Sequence, residues 1–314
     1  MKLTIVTATA LLVALGLVAS ASSTTRGGNG RILYQQEVNG KFQLFSIRPD
    51  GSDRKQLTHG PTESVNGAWS PDGRSIVFEQ SNDNHAGVML MNADGSHVRD
   101  LTPTGFQGDP SFTPDGKQIV FTRTDVDRYD AVWIINADGS NERELKSTRN
   151  AVPSPDKCGC NVDATMSPDG KTITYIRVIG EWGVNQALMS VHTDGTGLKR
   201  LTPSSFEPGL KHDWSPDGKL ILFSSPGDPT PGKSGNLWIM RGDGSNKHAI
   251  THYTGGATNA FSGSFSPDGK WIVFRKEDAK GYHLSRIRPD GTGFHVITSN
   301  RVLPQRASAW GTAR

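Results

Sequence analysis

The sequence predicts an all-β fold, a six-bladed β-propeller of four-stranded blades, from three features. A Ser/Thr-Pro-Asp-Gly turn recurs five times, a second Asp-Gly turn recurs six times, and the C-terminal segment repeats half of one unit. Composition agrees: 36 Gly and 18 Pro, with 34% hydrophobic residues, suit many short strands joined by tight turns rather than packed helices. The formal net charge is +3, and Lys and Arg are interspersed with acidic residues. Without a polybasic run or an acidic tail, neither nucleic acid nor an anionic membrane surface is an expected partner.

At the N-terminus, Lys2 precedes an apolar run over residues 3–19, and Ala19-Ser20-Ala21 offers a small-residue cleavage pattern. Residues 1–21 therefore read as a secretory signal peptide. The alternative is a retained anchor, for which about 17 apolar or small residues is marginal. Residues 22–30 are Ser/Thr/Gly-rich and read as a flexible lead-in, and the propeller is expected from 31 to 314. No later segment is apolar and long enough to span a bilayer. The expected protein is exported, periplasmic or extracellular, and monomeric.

The first turn series is Ser70 with Gly73, then Thr113 with Gly116, Ser167 with Gly170, Ser215 with Gly218 and Ser266 with Gly269. The second ends in Gly51, Gly95, Gly139, Gly195, Gly244 and Gly291, spaced 44, 44, 56, 49 and 47 residues apart. Four-stranded blades repeat at about 40–50 residues. Pro pre-sets φ at the second turn position and Gly accepts the left-handed conformation that closes the hairpin.

After each first-series turn comes a nearly continuous apolar run, at 75–78, 118–121, 172–175, 220–223 and 271–274. Such runs suit strands buried on both faces, as between stacked blades. A further strand leads into each Asp-Gly turn, at 42–47, 88–91, 132–135, 188–191, 237–240 and 282–287. Short outer strands are expected to end at Leu57, Leu101, Leu145, Leu201, Ile250 and Ile297; all but Leu145 precede a Thr. The first unit starts at Arg31-Ile32-Leu33-Tyr34 and lacks its own inner strand. Ala309-Trp310-Gly311 matches Ala68-Trp69-Ser70, so the tail is expected to supply that strand and close the ring.

The pattern Ala68-Trp69-Ser70-Pro71-Asp72-Gly73, then Ile76-Val77-Phe78, then Met91-Asn92-Ala93-Asp94-Gly95-Ser96, then Leu101-Thr102, resembles the WD-like repeat of the TolB propeller family. It recurs from residue 31 to 311. The resemblance implies a TolB-like propeller and carries little about activity, because function sits in sites grafted on folds. The α/β domain that precedes the propeller in that family has no room between the expected cleavage site and Arg31. The chain is therefore read as a stand-alone propeller, and a place in a Tol–Pal system does not follow.

Both turn series are expected on one face of the propeller, with the irregular loops on the other. Binding residues concentrate on variable loops held by a rigid scaffold, so the loop face is the candidate surface. It carries Asn82-Asp83-Asn84-His85, residues 125–130, Glu181-Trp182, residues 226–233 and His252-Tyr253. Three residues before each inner-strand aromatic, or its equivalent, stand Asn66, Asp109, Asp163, Lys211, Ser262 and Ala307. With His212, Asp213 and Arg306 they would make a polar funnel at the channel mouth, suited to a ligand or peptide or simply to water.

The carboxylates Asp72, Asp115, Asp169, Asp217 and Asp268 read as turn residues rather than a functional ring. Asp125, Asp127 and Asp130 have a calcium-like spacing but lack the Gly and distal Glu of an EF-hand loop. Cys158-Gly159-Cys160 reads as an intraloop disulfide more readily than as a metal or redox pair. His59, His85, His212 and His252 are the weak candidates for a metal site, without ligand spacing. No catalytic or cofactor fingerprint is present, so no cofactor is expected. The expected function is a platform for a protein, peptide or cell-envelope polymer; the alternative is a metal-assisted carbohydrate lyase or hydrolase on the same scaffold.

Overall fold

The computed structural model describes residues 26–81, 85–125, 129–149, 161–178, 186–209, 211–226, 233–298 and 309–313. Over these the regular elements are β-strands, apart from two short 3-10 turns, Lys146–Thr148 and Ser204–Phe206. The arrangement is that of a β-propeller. Sheets of four antiparallel strands follow the sequence repeats, with the strands ordered from inside to outside along the chain.

The first sheet has the order Ala309–Thr312, Asn29–Val38, Lys41–Ile47, Lys55–Gln56. Its inner strand comes from the chain's far end, with Ile32 opposite Trp310 and Leu33 opposite Ala309. The second repeat (Glu63–Trp69, Ser75–Ser81, Ala86–Asn92, Arg99–Asp100) and the third (Phe106–Phe112, Gln118–Thr124, Asp130–Asn136, Arg143–Glu144) share one eight-stranded sheet. A single parallel bridge, Ala86 to Phe106, joins them. Three four-stranded sheets follow, beginning at Asn161–Met166, His212–Trp214 and Asn259–Phe265.

The core lies between neighbouring sheets. Leu33, Leu44, Trp69, Ile76 and Phe78 pack together between the first two repeats, and Tyr34, Phe45, Val273, Leu284 and Trp310 between the last and the first. Ile76, Val77 and Phe78 are all fully buried, as the continuous apolar runs require. Each such side chain contributes about 1.5–3 kcal/mol by leaving water.

The turns are self-contained. In the first series Asp72 accepts from the Ser70 hydroxyl and the Arg74 N–H, and Asp115, Asp169, Asp217 and Asp268 repeat the pattern. The turn reading of these carboxylates accounts for all five. In the second series Asp94 accepts from the Ser96 hydroxyl and N–H, which hold its pKa below the usual carboxylate range.

The outer strands stop one residue short of the apolar position expected to end them, and the Thr that follows has a task of its own. The hydroxyls of Thr58, Thr102, Thr202, Thr251 and Thr298 accept the N–H of Leu44, Val88, Leu188, Leu237 and Leu284 in the neighbouring strand. In the third repeat, where Lys146 follows Leu145, the 3-10 turn brings Thr148 round to accept from Val132 at 2.8 Å. One extra turn restores the same clasp.

At the closing strand the packing is tight. A Cβ on Gly311 would lie 2.7–2.9 Å from the Trp69 indole carbons. Gly311→Ala is therefore expected to cost about 1–3 kcal/mol by displacing the ring. Chemical denaturation, with the m-value unchanged, checks it.

Candidate functional site

Of the expected channel residues, Asn66, Asp109, Asp163 and Ser262 occupy one equivalent backbone position. Each sits in an inner-strand bulge, where register shifts between Val65 and Ala68, Gly108 and Ser111, Val162 and Thr165, and Phe261 and Ser264. Their φ values are 54°, 51°, 53° and 51°. Asn and Asp tolerate this left-handed conformation best among residues with a side chain, so the backbone itself favours three of the four residue types.

These bulges carry polar links from repeat to repeat. Gln35 Oε1 accepts the Asn66 N–H at 3.2 Å. Glu79 Oε2 accepts from Asn66 Nδ2 at 2.8 Å and from the Asp109 N–H at 3.4 Å. The Ser111 hydroxyl donates to Ala164 O at 2.8 Å. Asp163 Oδ2 accepts the His212 N–H at 2.5 Å and lies 2.7 Å from His212 Nδ1. Asp213 Oδ2 accepts from the Ser264 hydroxyl at 3.0 Å and the Phe265 N–H at 2.8 Å. Ser264 Oγ in turn accepts the Trp310 N–H at 3.4 Å.

His212 is the most enclosed member. Its Nε2 lies 2.9 Å from Thr165 Oγ1 and 2.8 Å from Thr174 Oγ1, and Thr174 also accepts from Trp214 Nε1. Nδ1 lies close to Asp163 but out of line for a hydrogen bond, and Nε2 is within reach of both threonine hydroxyls. An acid–histidine–hydroxyl sequence of this kind could relay a proton. Here Thr165, Thr174 and His212 are at most 1% exposed, so it fastens two sheets together out of reach of substrate.

Beside it, Lys211 brings charge. Its Nζ is 3.5 Å from Asp163 Oδ1, with the two side chains 12% and 6% exposed. Burial opposes both charges, yet each sustains the other. Asp163, Asp213 and Asp109 raise the Lys211 pKa, and Lys211 and His212 hold Asp163 below the usual carboxylate range. Asp109, Asp163, Lys211, His212 and Asp213 are thus drawn together from three adjacent repeats. Asn66 stands one repeat further round, and Arg306 and Ala307 lie outside the described residues.

The histidines of the metal alternative have separate surroundings. His59 lines a cleft of about 420 Å³ with Lys41, Gln43 and Pro61. His85 contacts Gly105 O and Asp100, His212 is buried as above, and His252 is exposed. Among the described residues, no group of three or more His, Cys, Asp or Glu side chains could hold a metal ion. Asp125 accepts the Tyr129 N–H and pairs with Arg149, and Asp130 accepts from Thr124 at 2.5 Å, so both already have partners. Asp127, Cys158, Cys160 and residues 1–25 lie outside the described residues.

Sequence reasoning missed Gln35, Glu79, Ser111 and Ser264, which link the repeats. For Gln35 and Glu79 the available signal was a polar residue directly after an apolar run, as in Ile76-Val77-Phe78-Glu79; Ser111 and Ser264 follow no such run.

Residues 20–158 match the family described as the TolB beta propeller domain. Over those residues the chain carries a TolB-like β-propeller domain. The solved structure of TolB from Acinetobacter baumannii superposes with a TM-score of 0.73 at 20% identity, over 92% of this chain and 68% of that one. In sequence, this TolB-like chain is 24% identical to the Tol-Pal system protein TolB of Francisella tularensis subsp. holarctica, over 74% of its own length and 50% of the relative. It is also 25% identical to dipeptidyl-peptidase 5 of Porphyromonas endodontalis, over 81% of its own length and 35% of the relative. The TolB-like chain therefore spans between a third and a half of these curated relatives. Among the described residues no helix is long and apolar enough to cross a membrane.

Proposed function

We propose that this TolB-like chain is an exported, monomeric, six-bladed propeller, closed by its C-terminal strand, that holds a protein, peptide or cell-envelope polymer on its loop face. One observation carries the binding role: Asp109, Asp163, Lys211 and Asp213 gather at the loop-side halves of three inner strands. Among the described residues three carboxylates stand against one ammonium there, which suits an amine or another cationic group of a partner.

The ring reading is supported by Trp310, which meets Ser264 of the last repeat through its N–H and pairs with Ile32 of the first. Export rests on residues 1–21 read as a signal peptide, and likeness to a Tol-Pal system protein agrees with that compartment. No protein named among the relatives lends this chain its activity.

Asp109→Asn tests the site, since Asn accepts the φ of 51° and keeps the fold. Cross-linking capture from an envelope fraction is expected to recover a specific partner with wild-type protein and with the turn-face control Asp138→Asn. Recovery by Asp109→Asn should fall about tenfold, the equivalent of one charge pair of about 1.4 kcal/mol. Equal recovery by all three proteins would remove the channel mouth from the binding surface.

A further inference from the structure

Clefts also open on the turn side, between neighbouring sheets, and two of them share several equivalent positions. One of about 470 Å³ lies between the third and fourth repeats, and one of about 650 Å³ between the first and second. Gln118 and Arg143 in the first stand where Arg31 and Lys55 stand in the second, and Met166 stands where Trp69 does.

Topology makes the two clefts differ. The inner strand of the third repeat runs into Pro114-Asp115-Gly116, and Asp115 lines its cleft. The inner strand of the first repeat is Ala309–Thr312, and Thr312-Ala313 takes the place of that Pro-Asp pair. The turn carboxylate is missing at the seam. Charge reverses accordingly: Asp115, Asp169 and Asp194 outweigh Arg143 in one cleft, whereas Arg31, Arg48 and Lys55 outweigh Asp94 and Asp53 at the other.

The three cations are not equivalent. Arg31 is fixed, donating from Nε to the Ser46 hydroxyl at 2.9 Å and from NH1 to Asp53 at 2.8 Å. Arg48 Nε and Lys55 Nζ lie 3.5 and 3.9 Å from the same carboxylate, and both side chains are 60% exposed. Exposed pairs at such distances contribute little, so these two can turn to a ligand at small cost.

We infer that the seam cleft binds a compact oxyanion, a phosphate or a carboxylate, gripped by Arg48 and Lys55 over the fixed guanidinium of Arg31. Its walls come from both chain ends, Asn29 to Arg31 on one side and Thr312 and Ala313 on the other. A ligand held there stabilises the pairing of the two terminal strands, because it binds only when they are together. The inference concerns the opposite face from the proposed docking site and does not depend on it.

The probes are inorganic pyrophosphate and digalacturonate, titrated calorimetrically into the full chain at low and at physiological ionic strength, with thermal unfolding measured alongside. At least one is expected to bind, more weakly as salt rises, and to raise the unfolding temperature. Binding of pyrophosphate alone assigns phosphate, and binding of digalacturonate alone assigns carboxylate. Arg48→Ala with Lys55→Ala should weaken that binding at least tenfold while leaving the ligand-free unfolding temperature unchanged. Asp169→Asn, in the acidic cleft, should leave it as in wild type. If neither probe binds, or if the double variant binds as wild type does, the inference is overturned.

Discussion

Replacing Asp163 with Ala is expected to lower stability by about 3–5 kcal/mol, the cost of removing one partner from a buried charge network. Asp163 is 5% exposed and serves the His212 N–H, His212 Nδ1 and Lys211 Nζ at once. Without it Lys211 keeps the smaller fields of Asp213 and Asp109, and the His212 N–H loses its acceptor. Asp163→Asn separates two contributions, because Asn keeps the left-handed backbone while removing the charge. It should retain part of the loss seen with Ala, and urea titrations of both variants measure the difference.

The same residue sets a pH dependence. Its folded pKa lies below its unfolded value, so its contribution is present above the unfolded value, about 4. That contribution disappears as pH falls through the folded value. Wild-type stability should thus decline on the acid side more steeply than that of Asp163→Asn, as unfolding curves at successive pH values will show.

The second large effect belongs to the closing strand. Trp310 is 2% exposed, packs among Ile32, Tyr34, Phe45 and Val273, and donates from its indole to Gly30 O at 3.2 Å. Trp310→Ala is expected to cost about 3–5 kcal/mol through the cavity and the lost hydrogen bond. Deleting residues 309–314 goes further. It strips the inner neighbour from Asn29–Val38 and leaves a long strand edge unpaired, the usual starting point for aggregation. Light scattering during thermal unfolding should show association at lower temperature for the deletion than for Trp310→Ala.

The repeat was legible because its signals are local. A Ser-Pro-Asp-Gly turn followed by Ile-Val-Phe declares a hairpin and a doubly buried strand without reference to the rest of the chain. Even the match of Ala309-Trp310 to Ala68-Trp69 could be read at a distance, since a missing strand and a surplus one stood at opposite ends.

The candidate site was legible only in part. Asn66, Asp109 and Asp163 were found by their position before the aromatic. Their residue types, however, answer first to a backbone at φ near 50° and then to links with the neighbouring sheet. Lys211 acquires its meaning from carboxylates in other repeats, 48 residues away in the case of Asp163. Spacing along the chain does not report such proximity. His212 looked like a possible metal ligand and is instead enclosed by Thr165, Thr174 and Asp163, because strand register turned it inward.

Hydrogen–deuterium exchange of the C-terminal peptide over residues 309–313, followed by mass spectrometry, tests the proposed closed ring most directly. Pairing with Asn29–Val38 predicts that its amides exchange as slowly as those of the equivalent inner strand Glu63–Trp69 in an ordinary blade. Exchange at the rate of a free tail would contradict the closure on which the seam cleft, the six-blade count and the geometry of the channel mouth all rest.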